Sequence, residues 1–285
     1  MNVTVVIPAR NMASTIGAQL AALSEQTYGG RWDVVVVDDG STDRTAGVAK
    51  RWSHRLPDLR VIAGSPPHSP GHARNLGVGA TACDAVVFCD ADDIVGAEWL
   101  RAMVGALQDH DLVTGPLEHR LLNPLHIATL MSDVGSHAAP VAYGFLPYAF
   151  GGNLGVSRSL FEAVAGFRPD FRTGEDLELS WRAQLAGAHL HFAPGATVHR
   201  RWPQTLGRLT RREARYASAA PRLYRDYARN GMPPSPSGRA LGDWVALALR
   251  SPELAVPECR GPWCMRAGHR AGRLAGSARW RTAYL

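Results

Sequence analysis

Short apolar runs rich in β-branched residues, Val3 to Ile7, Val34 to Val37 and Ala85 to Cys89, constrain the fold of this 285-residue chain more than any other feature. They do not alternate strictly with polar residues, so strands made from them are covered on both faces. That pattern indicates a parallel sheet with crossover helices. The stretches between agree: Ser14 to Thr27 carries Ile16, Leu20 and Leu23 at helical spacing, and Asp43 to Ser53 reads as a second helix. Leu59 to Ala63 reads as a further strand and Pro70 to Thr81 as a turn and helix. The expectation is an α/β fold on one mostly parallel sheet.

Beyond Asp93 the pattern loosens. A helix is expected over Ala97 to Gln108 and a strand over Asp111 to Gly115, then an irregular stretch, Pro116 to Gly152, rich in Pro, Gly, His and aromatics. Irregular chain of that length inside a domain reads as a lid facing a substrate. Regular structure is expected to resume at Asn153 to Ser157, with helices over Arg158 to Ala165 and Glu175 to Ala186. Strands follow near His189 to Ala193 and Thr197 to His199. The C-terminal part reads as one long helix, Thr205 to Arg229, a Pro/Ser/Gly linker, Met232 to Gly238, and a helix over Ala240 to Arg250. A final segment shows little apolar periodicity. The expected division is a catalytic domain over 1–203, with halves 1–93 and 94–203, and a basic helical extension over 204–285.

Charge follows the same division. Residues 1–199 carry 14 basic and 20 acidic side chains, whereas 200–285 carry 17 and 5, beneath a net charge of +6 for the whole. Such a tail suits a polyanion or an anionic membrane surface, or is simply a solvated arginine-rich helix, Lys50 being the only lysine. No nucleic acid is expected, since charge alone speaks for it. No apolar run approaches the roughly 20 residues of a membrane-spanning helix, and no basic segment precedes a longer apolar one at the N-terminus. The expected location is the cytoplasm, or the inner membrane face as a peripheral protein. Cys259 and Cys264 lack the pair spacing of a zinc site and read as loop residues.

Chemistry concentrates at the ends of strands. Asp90-Ala91-Asp92-Asp93 follows the Ala85 to Cys89 strand, and open α/β sheets bind ligands at the carboxyl ends of their strands. Carboxylates so spaced suit a hard divalent cation, Mg²⁺ or Mn²⁺, that also bridges the phosphates of a nucleotide and steadies a diphosphate leaving group. Solvated turns produce such runs too, so the run alone does not decide. A second cluster, Asp38-Asp39-Gly40-Ser41-Thr42-Asp43, supplies helix-capping residues and leaves Asp39 free to accept the imide N–H of a uracil or thymine. Arg74, in Gly71-His72-Ala73-Arg74-Asn75-Leu76-Gly77, can pair with a carboxylate or a phosphate. Gly151-Gly152-Asn153 precedes Thr173-Gly174-Glu175-Asp176, where two carboxylates open a helix whose dipole favours their ionised form. Trp181 shares a helical face with Leu177 and Leu185 that reads as core.

Taken together these segments resemble the family 2 glycosyltransferases of the GT-A fold. The matching stretches are Val5 to Asn11, Val36 to Asp43, Ala73 to Gly77, Phe88 to Asp93 and Gly174 to Arg182, in family order across about residues 3 to 200. The resemblance implies inverting transfer of one sugar from a nucleotide donor, UDP above all, to an acceptor hydroxyl on a small molecule, a glycan or a lipid carrier. It implies that Pro8, Ala9, Arg10, Asn11 and Asp39 hold the nucleoside, that Arg74, Asp90 and Ala91 line the donor site, and that Asp92 and Asp90 hold Mn²⁺ or Mg²⁺. It implies Asp176 of the Glu175-Asp176 pair as general base. His199 is read either as completing the metal shell or as a buried structural histidine. Gly152, Asn153, Trp181 and Arg182 are candidate contacts to the donor or acceptor sugar, Arg182 also as an anchor of the base helix.

Membrane-bound polysaccharide synthases of the family add a Gln-x-x-Arg-Trp motif; here Val198 stands where its glutamine would precede Arg201-Trp202. A single-sugar transferase fits better. The alternatives are a sugar-nucleotidyltransferase, which calls for a basic Gly-rich loop where Ala9-Arg10-Asn11-Met12 stands, and an inactive sugar-nucleotide-binding scaffold, against which both acidic motifs argue. A dinucleotide-binding oxidoreductase fits less well still, because no G-x-G-x-x-G follows the first strand.

Overall fold

The β-branched runs become strands whose side chains alternate between two cores. Val34 and Val36 enter one, with Val5, Ile7 and Val87, while Val35 and Val37 enter the other, with Val6, Val86 and Phe88. Both faces are therefore dry, as the unbroken apolar runs require, and each buried valine contributes on the order of 1.5–3 kcal/mol. The structure is a computed structural model and describes residues 1–235 and 240–285.

In chain order the first elements are β1 (Val3–Ala9), α1 (Ile16–Ser24), β2 (Trp32–Asp38), α2 (Thr45–Lys50), β3 (Arg60–Ala63), α3 (Pro70–Gly79) and β4 (Ala85–Cys89). Next come β5 (Ile94–Val95), α4 (Trp99–Leu107), β6 (Leu112–Thr114), β7 (Leu117–Glu118), α5 (Leu125–Met131), β8 (Asn153–Ser157) and α6 (Arg158–Ala163). The remainder are α7 (Glu175–Leu185), β9 (Leu190–Phe192), β10 (Val198–His199), α8 (Leu206–Ala217), α9 (Ala220–Tyr227), α10 (Ala240–Leu249) and α11 (Pro257–Trp280). The main sheet runs β3-β2-β1-β4-β8-β6-β9, with β5-β10-β7 as a small second sheet. β1 to β4 are parallel, β8 is antiparallel to β4 and β6, and β9 is parallel to β6. Strand order reverses between β1 and β4, the switch point at which such sheets open a crevice.

Contacts divide the chain into two compact units. The first comprises Met1–Leu121, Asp133–Pro140 and Pro147–Arg201, and the second Leu122–Ser132, Val141–Leu146 and Trp202–Leu285. The division falls at 201/202 rather than 203/204, and two pieces of the irregular stretch belong with the second unit. That stretch is also not wholly irregular, since it forms β7 and α5.

The second unit departs most from expectation. The long helix breaks into α8 and α9 at Ser218–Ala219, because Pro221 has no N–H to give the carbonyl of Ala217. The expected linker lies in part, at 236–238, outside the described residues. The final segment is a 24-residue helix, α11, which also carries Cys259 and Cys264, both free. Its buried face is made of glycine: Gly268, Gly272 and Gly276 lie against the backbone of Thr210, Ala214 and Ser218, at a separation no Cβ would permit. Among the described residues no helix is long and apolar enough to cross a membrane.

Candidate active site

Three elements of the first unit, β2, β4 and α7, deliver acidic groups to the carboxyl end of the sheet. The register Ala9↔Asp38 puts Asp39 just past the paired tips of β1 and β2, and its N–H donates to the Ala9 carbonyl at 2.8 Å. Across β4, Cys89↔Asn153 sets Asp90 over Gly152, where an added Cβ would fall 2.6 Å from Asp90 Oδ2. The loop after β4 is clamped from α1 by buried Gln19, whose Nε2 donates to the Asp90 carbonyl (3.2 Å) and whose Oε1 accepts from Val95 N–H (3.0 Å). Extending the antiparallel β5/β10 register, His199↔Ile94, brings Arg200 opposite Asp93. Arg200 Nη1 accordingly donates to Asp90 Oδ2 and Asp93 Oδ2, each at 2.8 Å, while Arg201 N–H reaches Asp93 Oδ1 at 2.8 Å.

Ligand atoms of Asp90, Asp92 and Asp93 all lie within 4.8 Å of one another, the one such group of three among the described residues. Their environments differ. Burial raises the Asp90 carboxyl, but Arg200 and Arg74 outweigh it and hold the group below the usual carboxylate range. Burial dominates at Asp92, which is raised, and at Asp93, pushed up to about 8 with help from the neighbouring carboxylates. Three oxygen-only side chains in this arrangement suit a hard divalent cation.

Arg74 joins this cluster to the second acidic motif. α3 starts cleanly, with Ser69 accepting the His72 N–H and Pro70 at its first turn, and that start brings Arg74 inward, 3% exposed. Its Nη2 donates to Asp90 Oδ1 at 2.8 Å and its Nη1 to Glu175 Oε1 at 3.0 Å. α7 begins after Gly174, whose left-handed φ of 78° favours glycine. Burial, then the Asp176 charge, raise Glu175 to about 7 against the pull of Arg74. Asp176 Oδ2 accepts the Gly151 N–H at 3.1 Å, so the Gly151-Gly152 turn underlies Asp90, Arg74 and Asp176 together.

At the other end of the crevice Asp39, 5% exposed, accepts from His68 Nδ1 at 2.8 Å. Pro8, one residue before the end of β1, is half-buried, Ala9 and Ala91 are buried, and Arg10 is exposed. Asn11 is taken up locally, its Oδ1 accepting the Thr42 N–H at 2.8 Å.

Several expected site residues have other occupations. His199 lies outside the three-carboxylate group; its Nδ1 faces Glu118 Oε2 at 2.9 Å. Glu118 is lowered, since His199 and the N–H groups of Arg120 and Leu121 overcome its burial. Asn153 is fully buried and spans Trp99 Nε1 (2.8 Å) and the carbonyls of Pro116 (3.2 Å) and Ala196 (2.9 Å), which leaves it no amide group for a sugar. Trp181 is fully buried, whereas Leu185 on the same expected core face is 44% exposed. Arg182 grips Glu178 through two bonds and the carbonyls of Val164 and Gly166, and so anchors the turn beside α7. Sequence reasoning did not single out Asp93, Gly151 or His68, and it assigned Arg200 to the basic tail. Only strand register reveals Arg200.

The chain matches the family model "Glycosyl transferase family 2" over residues 4–164 and "Glycosyl transferase family group 2" over 85–252. It is 30% identical over 261 residues to the pre-mycofactocin glycosyltransferase of Mycobacterium tuberculosis, covering 87% of this chain and 53% of that protein. It is 29% identical over 194 residues to glycosyltransferase AglE of Haloferax volcanii, covering 67% and 64%. The chain thus spans about half to two thirds of the length of these relatives. Among solved structures it resembles mannosyltransferase PcManGT from Pyrobaculum calidifontis in complex with GDP-Man and Mn²⁺, with a TM-score of 0.69 at 21% identity over 98% of this chain and 86% of that one. TarS 1-349 of S. aureus in complex with UDP-GlcNAc follows, with a TM-score of 0.56 at 17% identity over 100% and 93%. These likenesses establish the GT-A fold, and the family match over more than half of the chain establishes that it belongs to glycosyl transferase family 2.

Proposed function

We propose that the chain transfers a single sugar from a nucleotide donor to an acceptor hydroxyl, with inversion and with a divalent cation. The observation that carries this reading is Arg74, whose guanidinium binds Asp90 of the strand-tip cluster and Glu175 of the base helix at once. Donor-side and acceptor-side carboxylates therefore share one crevice. Arg74 Nε is buried with no hydrogen-bond partner among the described residues.

Asp90 and Asp92 would hold Mn²⁺ or Mg²⁺, with Asp93 beside them, and the ion when bound supplies charge stabilisation for the departing diphosphate. The Mn²⁺ and GDP-Man of one structural neighbour and the UDP-GlcNAc of another support a nucleotide-sugar donor and a metal. Asp176 takes the proton of the acceptor hydroxyl at a carboxylate oriented by the Gly151 N–H, and the oxygen attacks from the face opposite the diphosphate. Asp176→Asn is expected to lower turnover about 10²- to 10⁴-fold with donor affinity nearly unchanged. Full activity in that variant, measured by product formation, overturns the assignment.

The second unit supports contact with an anionic membrane surface by a route other than the nine arginines from Arg200 to Arg229. Arg200 lies in the acidic crevice, Arg212 stacks on Trp202 and Tyr216, and Arg222 is buried over Trp280. Arg208, Arg211, Arg215, Arg225 and Arg229 are exposed, and α10 exposes Leu241, Trp244, Val245 and Leu249 along one face. An apolar helix face with a tryptophan, in a region of 17 basic and 5 acidic residues, fits the interface of an anionic bilayer. Binding to phosphatidylglycerol vesicles at low salt, lost in Trp244→Glu, supports this; no sedimentation with the vesicles at low salt overturns it.

A further inference from the structure

We propose that His68 selects the nucleobase of the donor by blocking one oxygen of Asp39, so that the site takes a uracil or thymine and rejects guanine. The inference rests on the reading of this crevice as a nucleotide-sugar site.

The Asp39 carboxylate is nearly buried, its side chain 7% exposed, and it stands where the nucleoside end of the crevice begins, past the tips of β1 and β2. One of its oxygens is already used. His68 Nδ1 lies 2.8 Å from Oδ1, and since an ionised carboxylate only accepts, the ring nitrogen donates. The backbone of Gly64 covers the same oxygen: a Cβ there would lie 2.8 Å from Oδ1 and 2.8 Å from Asp39 Cα. His68 is itself seated, with its Cε1 3.0 Å from where Gly40 would carry a Cβ, at a residue whose φ of 74° favours glycine. Oδ2 makes no hydrogen bond among the described residues and is not sealed from solvent. Asp39 therefore offers an incoming base one acceptor rather than two.

Donor patterns of the bases decide what fits a single acceptor. Uracil and thymine present one imide N–H between two carbonyl oxygens, which a single carboxylate oxygen satisfies. Guanine presents two adjacent donors, N1–H and the exocyclic amine, which match both oxygens of a free carboxylate; with Oδ1 blocked, one is buried without a partner. An unsatisfied buried donor loses more than the remaining bond gains. Adenine and cytosine place a ring-nitrogen lone pair against the carboxylate, which repels it. His68 thus acts as a positioning residue that turns a two-oxygen site into a one-oxygen site.

The test is calorimetric titration of the whole chain with UDP, dTDP, GDP and ADP in the presence of Mn²⁺, for the wild type, His68→Ala and His68→Gln. Wild type is expected to bind UDP and dTDP alike and GDP about tenfold more weakly or worse. His68→Ala should narrow the UDP-to-GDP ratio about fivefold or more, and His68→Gln, whose amide can still donate to Oδ1, should restore most of it. A wild type that prefers GDP, or a ratio unmoved in His68→Ala, overturns the inference while leaving the nucleotide-sugar reading in place. Failure of folded wild type to bind any of the four overturns both.

Discussion

The sheet of the first unit and the α8–α11 pair of the second are both close-packed, by opposite means. In the sheet, large β-branched side chains fill two cores and hold the strand tips at fixed spacing. Between α8 and α11 the side chains are removed altogether, and three glycines four residues apart let one helix backbone rest on the other. Hydrophobic burial specifies the first and steric absence the second. Apolar patterns therefore announce the sheet, while α11 leaves no mark on a reading tuned to apolar periodicity.

The largest effect expected from this contrast lies at the helix pair. Gly272→Val puts a branched side chain into the backbone of Ala214, which cannot turn aside, and should cost about 3 kcal/mol or more. Gly207→Ala on α8, with nothing within 4 Å of its added Cβ, should stabilise by roughly 0.5–1 kcal/mol. Urea unfolding followed by far-ultraviolet circular dichroism separates them, and equal effects would break the comparison. In the first unit, Arg74→Met strips the shared cation from Asp90 and Glu175 and should destabilise by about 2–3 kcal/mol in the same assay. A change below about 1 kcal/mol would mean that the two acidic motifs do not depend on each other.

The last effect is a pH dependence. Folding raises Glu175 from the ordinary 4.5 to about 7, so between those values the folded chain holds a proton that the unfolded chain releases. The contribution is complete below about pH 4.5 and is lost as pH rises through about 7, with a slope no steeper than about 1.4 kcal/mol per pH unit. Glu175→Gln should flatten that part of the stability profile between pH 5 and 7; an unchanged slope would place the proton elsewhere.

Much of the candidate site's placement in the fold was legible because it combines strand ends with acidic runs. β4 ends at Cys89 as its apolar run does, so Asp90 and Asp92 could be set at a strand tip from sequence alone. Asp39, Arg74 and the Glu175-Asp176 pair follow from the same logic and from their family order. What stayed hidden depends on long-range pairing. Arg200 sits 110 residues from Asp90 and meets it only through the β5/β10 ladder. Asn153 looked like a sugar contact beside two glycines, but the turn that places Gly151 and Gly152 under the site directs Asn153 to Trp99 instead. His68 lies among Pro66, Pro67 and Ser69 in a stretch with no periodicity, and its meaning comes only from Asp39 across the β2–β3 edge. The break between α8 and α9 was readable, since Pro221 stands in plain view inside the expected helix.

The most direct test of the central claim, that the strand-tip carboxylates form a metal-dependent nucleotide-sugar site, is calorimetric titration of UDP with and without Mn²⁺ on wild type and Asp92→Asn. The account predicts at least about tenfold tighter UDP binding with Mn²⁺ in the wild type, with that metal dependence abolished in a folded Asp92→Asn. UDP affinity that ignores the metal in the wild type, or a metal dependence that survives in Asp92→Asn, would contradict it.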